Sequence, residues 1–205
     1  GALREARAAL VRPAVAAAKA RRPTAKTDPY FWLARLGDAY ADDAGAITSV
    51  LLNLLELQPN QALYLPAGNL HAYLEGFAVE IMAASDNVLR GGLTPKHVDR
   101  DELAKVLDIA PYPVAVLEPP LGDDGVARYP TPARDFALAR VGPAAHARVD
   151  GPAIVVATGP GTTVASDGTD TMTLAPGEAL FVAANAAPIE LQGTAFVATA
   201  GAVTP

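Results

Sequence analysis

The chain has 205 residues and a net charge of −6, with 51% hydrophobic and only 6% aromatic residues. That length can bury the core of one domain or two small ones, and no apolar run approaches the roughly 20 residues of a membrane-spanning helix. There is no cysteine, which excludes disulfides and thiolate metal sites, so any metal must be held by histidine, carboxylate or amide groups.

Residues 1–26 contain seven of the sixteen basic residues and one acid, Glu5, which leaves the remainder strongly acidic. A basic, Ala-rich start also occurs in transit peptides and nucleic-acid arms. No aromatic residue is interleaved with these cations to stack on bases, and the segment reads as the solvated face of a helix. No charged n-region followed by an apolar h-region marks a signal peptide. The expectation is a cytoplasmic protein with neither nucleic-acid nor membrane partners, in a sequence whose Gly1 start suggests that it begins within a longer one.

In chain order, residues 2–46 read as helical, with a break around Pro13. Asp28-Pro29 is a cap followed by proline at the first helical position. Trp32, Leu33, Leu36 and Tyr40 then recur at helical spacing and should bury one face. Gly45 closes this section. From Ile47 the pattern changes to short strands over Val50–Leu57, Gln61–Leu65, Ala72–Leu74 and Phe77–Ala84, separated by Pro59-Asn60, Pro66-Ala67-Gly68 and Gly76. A short helix follows at Asp99–Leu107, where Asp101 and Glu102 suit the positive helix start. Residues 114–205 read as all-β, with strands such as Phe136–Val141, Ile154–Thr158 and Ala179–Ala183 between Gly, Pro and Asp turns, as in a sandwich or barrel. There is also a faint repeat. Gln58-Pro59-Asn60-Gln61-Ala62-Leu63-Tyr64-Leu65 parallels Ala175-Pro176-Gly177-Glu178-Ala179-Leu180-Phe181-Val182, each a turn followed by a strand.

Three histidines are present: His71, His97 and His146. His71 ends Pro66-Ala67-Gly68-Asn69-Leu70-His71, which matches the P-x-G-x-x-H core of the second cupin motif, where a turn reverses the chain and a strand carries the histidine into a barrel mouth. The glycine usual before it is Asn60 here, which also enters left-handed conformations. The equivalent stretch of the second repeat, Ala183-Ala184-Asn185-Ala186-Ala187, has neither the proline nor the histidine. His97 reads as a surface residue between a turn and a helix, and His146 as part of an Ala-rich loop beside Arg148. Polar residues interrupt the apolar pattern at Tyr73, Glu80, Asp86, Asn87, Arg90 and Lys96. His71 and Tyr73 share one face by the two-residue period. Glu80, opposite Val79 and Ile81, faces solvent or lines a polar cavity.

The His-Ala-Tyr block, the Val-Glu-Ile-Met-Ala-Ala-Ser-Asp-Asn block and Arg-Gly-Gly-Leu-Thr-Pro-Lys resemble the signature region of class I mannose-6-phosphate isomerases, strongly over about residues 47–110. The resemblance implies a mainly β fold with a helical N-terminal part and cupin-like, jelly-roll barrels. Residues 1–46 would be a helical subdomain, 47–110 the C-terminal half of the metal- and substrate-binding cupin, and 111–205 a degenerate C-terminal barrel. It implies an aldose–ketose isomerase that interconverts mannose 6-phosphate and fructose 6-phosphate through a metal-stabilised cis-enediol and works as a monomer when complete. On this resemblance His71 is a Zn2+ ligand, Arg90, Glu80 and Asp86 are catalytic, and Tyr73 and Lys96 bind the phosphorylated sugar. The family's Gln-x-His pair is absent, since His97 follows Pro95-Lys96 and His146 follows Ala144-Ala145. The other zinc ligands are expected upstream, and the 205 residues alone should be inactive. Two rival readings are a non-catalytic sugar-binding or regulatory cupin module and a metal-dependent oxidative cupin. The second needs an H-x-H motif before Pro66, which the chain lacks.

Overall fold

The computed structural model describes residues 2–85 and 88–201. They form two compact units. One takes in the chain up to Gln58 with Leu65–Gly76 and Ser85–Val114; the other takes in Pro59–Tyr64, Phe77–Ala84 and the chain from Ala115 onward. The fold is mainly β with a few helices, and no described helix is long and apolar enough to cross a membrane.

The first unit is built on α1 (Ala2–Ala20), α2 (Pro29–Ala39) and the short α3 (Gly45–Thr48), which runs into a single 3-10 turn at Ser49–Leu51. The expected break at Pro13 does not occur, and α1 passes through it. An interior proline removes one N–H and costs about 3 kcal/mol. Val11, Val15 and Ala18 are buried in a cluster with Leu33 and Ala46, and burying two valines contributes a similar amount, about 3 kcal/mol. The start of α2 is as the sequence predicts: the Asp28 carboxylate accepts the Tyr30 N–H at 2.9 Å and Pro29 opens the helix. Trp32 and Leu33 are buried, while Leu36 packs at the edge of the cluster.

Gly45 does not close the helical region but opens α3, and Ile47 and Val50 pack against the same cluster. The helical region therefore runs on to Leu51 instead of giving way at Ile47, because these side chains find their apolar contacts in a helical turn. Helix α4 (Arg100–Val106) matches expectation, with the Asp99 carboxylate accepting the Glu102 N–H at 3.0 Å and Leu107 ending it.

The predicted strands Val50–Leu57, Ala72–Leu74 and Phe77–Ala84 are not formed, and Gln61–Leu65 is reduced to β1 (Ala62–Leu63), paired antiparallel with β2 (Val116–Leu117). A strand exists only when its N–H and C=O groups meet a neighbour. Among the described residues the unformed segments have no ladder partner. Leu51, Phe77 and Met82 are correspondingly exposed.

The second unit contains two antiparallel sheets. One has the order β5 (His146–Val149), β10 (Ile189–Gln192), β7 (Thr163–Ser166), β8 (Thr171–Leu174). The other runs β3 (Val126–Tyr129), β4 (Phe136–Val141), β11 (Ala195–Ala200), β6 (Ala153–Ala157), β9 (Ala179–Val182). Alternate residues of both sheets, among them Ala147, Leu191, Val155 and Val197, form one core. His146 lies at the head of β5 rather than in a loop. His146 and Arg148 are exposed while Ala147 and Val149 are buried, a period-two pattern that small alanines disguise.

The octamer repeat has a structural counterpart. Asn60 and Gly177 both take positive φ, 74° and 90°, ahead of β1 and β9. After each strand an i to i+3 turn follows: the Asn69 N–H donates to the Pro66 carbonyl and the Ala186 N–H to the Ala183 carbonyl. The same spacing continues without a gap and places Pro188 where the first copy has His71.

Candidate functional site

The His71 segment starts from a turn fixed by α4. The Asp108 N–H donates to the Gly68 carbonyl at 3.0 Å, directly after the C-terminal end of that helix. Gly68 has φ +85°, and a Cβ there would stand 2.8 Å from the Val106 carbonyl oxygen. Only glycine satisfies both the conformation and the approach. Beyond the turn, the Nδ1 of His71 lies 2.9 Å from the Asn69 carbonyl oxygen. A carbonyl only accepts, so Nδ1 carries the proton and Nε2 of the neutral ring keeps its lone pair. His71 is exposed.

The segment carrying Arg90 and Lys96 belongs to the same unit. Gly91 faces the Leu70 side chain so closely that a Cβ would meet Leu70 Cδ1 at 2.4 Å, which sets the chain beside Arg90 against the chain beside His71. Leu93 reaches into the α1–α2 cluster with φ +53°. The Lys96 N–H donates to Thr94 Oγ1 at 3.1 Å. Arg90 and Lys96 are exposed, and neither makes an ion pair among the described residues. The far end of the His71 segment is held by Glu75, which pairs with Lys26 and, at 3.3 Å, with Arg35. The Lys26 ammonium, with Arg35 assisting, keeps the Glu75 carboxyl below the usual carboxylate range.

Tyr73 lies between His71 and Glu75 and is 70% exposed. Glu80 is exposed on an extended stretch of the other unit. Asp86, read from the sequence as a catalytic carboxylate, lies outside the described residues. His97 is exposed ahead of α4, as its sequence context suggests. Four candidates, His71, Tyr73, Arg90 and Lys96, thus fall in one unit. A groove of about 280 Å³ between α1 and α2, lined by Val11, Arg12, Val15, Lys19, Gly37 and Asp42, includes none of them. Its cations are answered locally, Arg12 by Asp42 and Lys19 by Asp38.

Sequence reasoning missed three residues that shape these segments: Gly68, Glu75 and Asp43. Gly68 was visible only as a turn former. The Glu75 pairs span 49 and 40 residues, a separation that no local pattern reveals. Asp43 sits two residues before the glycine that opens α3, in the manner of an Asx turn. No group of three or more His, Cys, Asp or Glu side chains able to hold a metal occurs among the described residues. His71 accordingly has no ready-made cluster of such side chains around it among the described residues.

The "Mannose-6-phosphate isomerase" of Salmonella typhimurium is 34% identical over 184 residues, covering 88% of this chain and 47% of the relative. The enzyme of that name from Cryptococcus neoformans is 38% identical over 160 residues, covering 73% of this chain and 37% of the relative. This chain is homologous to the C-terminal part of mannose-6-phosphate isomerases. It spans about half the length of the curated relatives it matches. The crystal structure of the Salmonella typhimurium isomerase bound to substrate (f6p) and zinc superposes with a TM-score of 0.76 at 29% identity, covering 95% of this chain and 49% of that one. The apo form of the same isomerase gives 0.76 at 29% identity, with 95% and 50% covered. No family model matches the sequence.

Proposed function

We propose that this chain carries part of the active site of an aldose–ketose isomerase acting on mannose 6-phosphate and fructose 6-phosphate, with zinc as the metal. The observation that carries the reading is the similarity over nearly the whole chain to an isomerase whose crystal structure holds both substrate (f6p) and zinc. Relatives bearing an enzyme's name favour this over a binding module without activity. In such a reaction a proton moves between C1 and C2 of the sugar, and a bound divalent metal supplies electrostatic support for the charge that develops on oxygen.

The part assigned to this chain is to bind and orient the sugar phosphate. Arg90 offers a planar guanidinium with fixed donors, suited to an oxyanion, and Lys96 a point charge suited to phosphate. Both are exposed in one short segment, and no ion pair among the described residues competes with a ligand for either. His71, its ring oriented by the Asn69 carbonyl, would offer Nε2 as one zinc ligand. Tyr73 lines the same stretch as a substrate-binding hydroxyl. Glu80 and Asp86 are the carboxylates proposed for proton transfer.

The test is a titration of the chain with fructose 6-phosphate, followed by the nitrogen-15 resonances of its amides and arginine side chains. Shifts should concentrate at Arg90–Lys96 and disappear in Arg90→Ala and Lys96→Ala, whereas unphosphorylated fructose should give far smaller ones. Equal responses to fructose and its phosphate, or unchanged affinity in both variants, would refute the assignment.

A further inference from the structure

We infer that Asp43 is a positioning residue for the Arg90–Lys96 segment, an inference that rests on the sugar-phosphate role proposed for that segment. The observations are geometric. Asp43 Oδ1 accepts the Gly45 N–H at 2.8 Å, at the start of α3, and Oδ2 accepts the Leu93 N–H at 3.1 Å, fifty residues away. A carboxylate presents two acceptor oxygens side by side, and both are used here to tie a helix start to a loop.

The loop it holds does not relax into this shape by itself. Leu93 adopts φ +53° and Gly92 φ +147°, two successive residues with left-handed backbone. For a leucine this conformation is unfavourable by roughly 1 kcal/mol or more, so it persists only where neighbouring contacts fix it. Two contacts do so. The Leu93 side chain packs with the α1–α2 cluster, and its N–H is held by Asp43. The approach is close on the other side as well: a Cβ on Gly92 would come within 2.8 Å of Asp43 Oδ1, and one on Gly45 within 2.8 Å of Leu93 Cγ. Arg90 lies three residues before the tied amide and Lys96 three after it, so the tie fixes the midpoint of the segment that presents both cations. The helical unit thereby supplies the rigid base for two side chains whose own environment is open to solvent.

The test separates this tie from the helix start. Asp43→Ser keeps a hydroxyl able to accept the Gly45 N–H in a local turn but is too short to reach Leu93. Exchange of the Leu93 amide should then accelerate about tenfold, the scale of one lost hydrogen bond to a charged acceptor. If the competent arrangement of the loop falls in population by that factor, the apparent dissociation constant for fructose 6-phosphate rises by up to about tenfold. Helical circular dichroism should be unchanged. Gly92→Ala, which pushes the loop off Asp43 from the opposite side, should reproduce both effects. Loss of helix in Asp43→Ser would make Asp43 a folding residue and overturn the inference. So would unchanged fructose 6-phosphate affinity in Asp43→Ser while Arg90→Ala and Lys96→Ala abolish binding, an outcome that leaves the proposed function standing. Binding that ignores Arg90→Ala and Lys96→Ala, or no binding by the unaltered chain, would instead remove the function reading and this inference with it.

Discussion

Leu191→Ala should destabilise the β unit more than any other single apolar truncation in it. Leu191 is fully buried (0% exposed) on β10, an interior strand of its sheet, and points into the core shared by both sheets. Removing three carbons forfeits about 2.4 kcal/mol at about 0.8 kcal/mol per buried methylene. The residues opposite it across the two neighbouring strands are Ala147 and Ala165, already the smallest side chains and held in paired strands, so they cannot extend to fill the gap. An unfilled cavity adds to the transfer loss and brings the total to about 3–4 kcal/mol. Urea unfolding followed by far-ultraviolet circular dichroism is the assay. With a slope of about 1–3 kcal/mol/M, the midpoint should fall by about 1–4 M. A loss under about 1 kcal/mol would mean that the strands close around the missing side chain, contradicting a core fixed by alanine-lined ladders.

Gly68→Ala should cost more than about 1 kcal/mol, since the new Cβ meets the Val106 carbonyl and the φ is left-handed; an unchanged thermal midpoint would contradict the close approach. Pro13→Ala should raise stability by roughly 1–3 kcal/mol by restoring a helical hydrogen bond inside α1, and a lower melting temperature would show that the proline is needed there. Asp167 accepts the Asp170 and Thr169 N–H groups, which hold its carboxyl below the usual range. A depressed folded-state pKa stabilises above the ordinary carboxylate value of about 4 and ceases to do so as pH falls through the lowered value. The stability gap between the wild-type chain and Asp167→Ala should therefore be full at pH 7 and shrink as pH falls below the ordinary carboxylate range; a gap that widens in acid would reverse the assignment.

How much of this was legible in the sequence depends on the range of the determining contacts. Caps are local, and Asp28 and Asp99 announce α2 and α4 correctly. The strand Phe136–Val141 is bounded as predicted, between the turn residues Asp135 and Gly142-Pro143. Asn60 takes the left-handed turn expected of a glycine substitute. Pro13 misled because burial of Val11 and Val15 outweighs a local penalty. Phe77–Ala84 misled in the opposite way: its pattern is that of a strand, but a strand is a property of two segments, and among the described residues none pairs with it. The signature blocks around His71 and Arg90 were readable as a resemblance. The structure added their supports, Gly68 against Val106 and Asp43 holding Leu93, which join residues far apart in sequence.

The proposed function gives these 205 residues part of an isomerase site. Its most direct test is mannose 6-phosphate isomerisation and zinc content of the purified chain, alone and with a polypeptide supplying the remaining half of the Salmonella typhimurium relative. Alone, the chain should bind zinc weakly and show no turnover, because zinc sites use three or four protein ligands and no group of three or more such side chains occurs among the described residues. With the second polypeptide both should appear, and Arg90→Ala should cut turnover by about a hundredfold or more while zinc is retained. Robust turnover at one zinc per chain from the 205 residues alone would contradict the account.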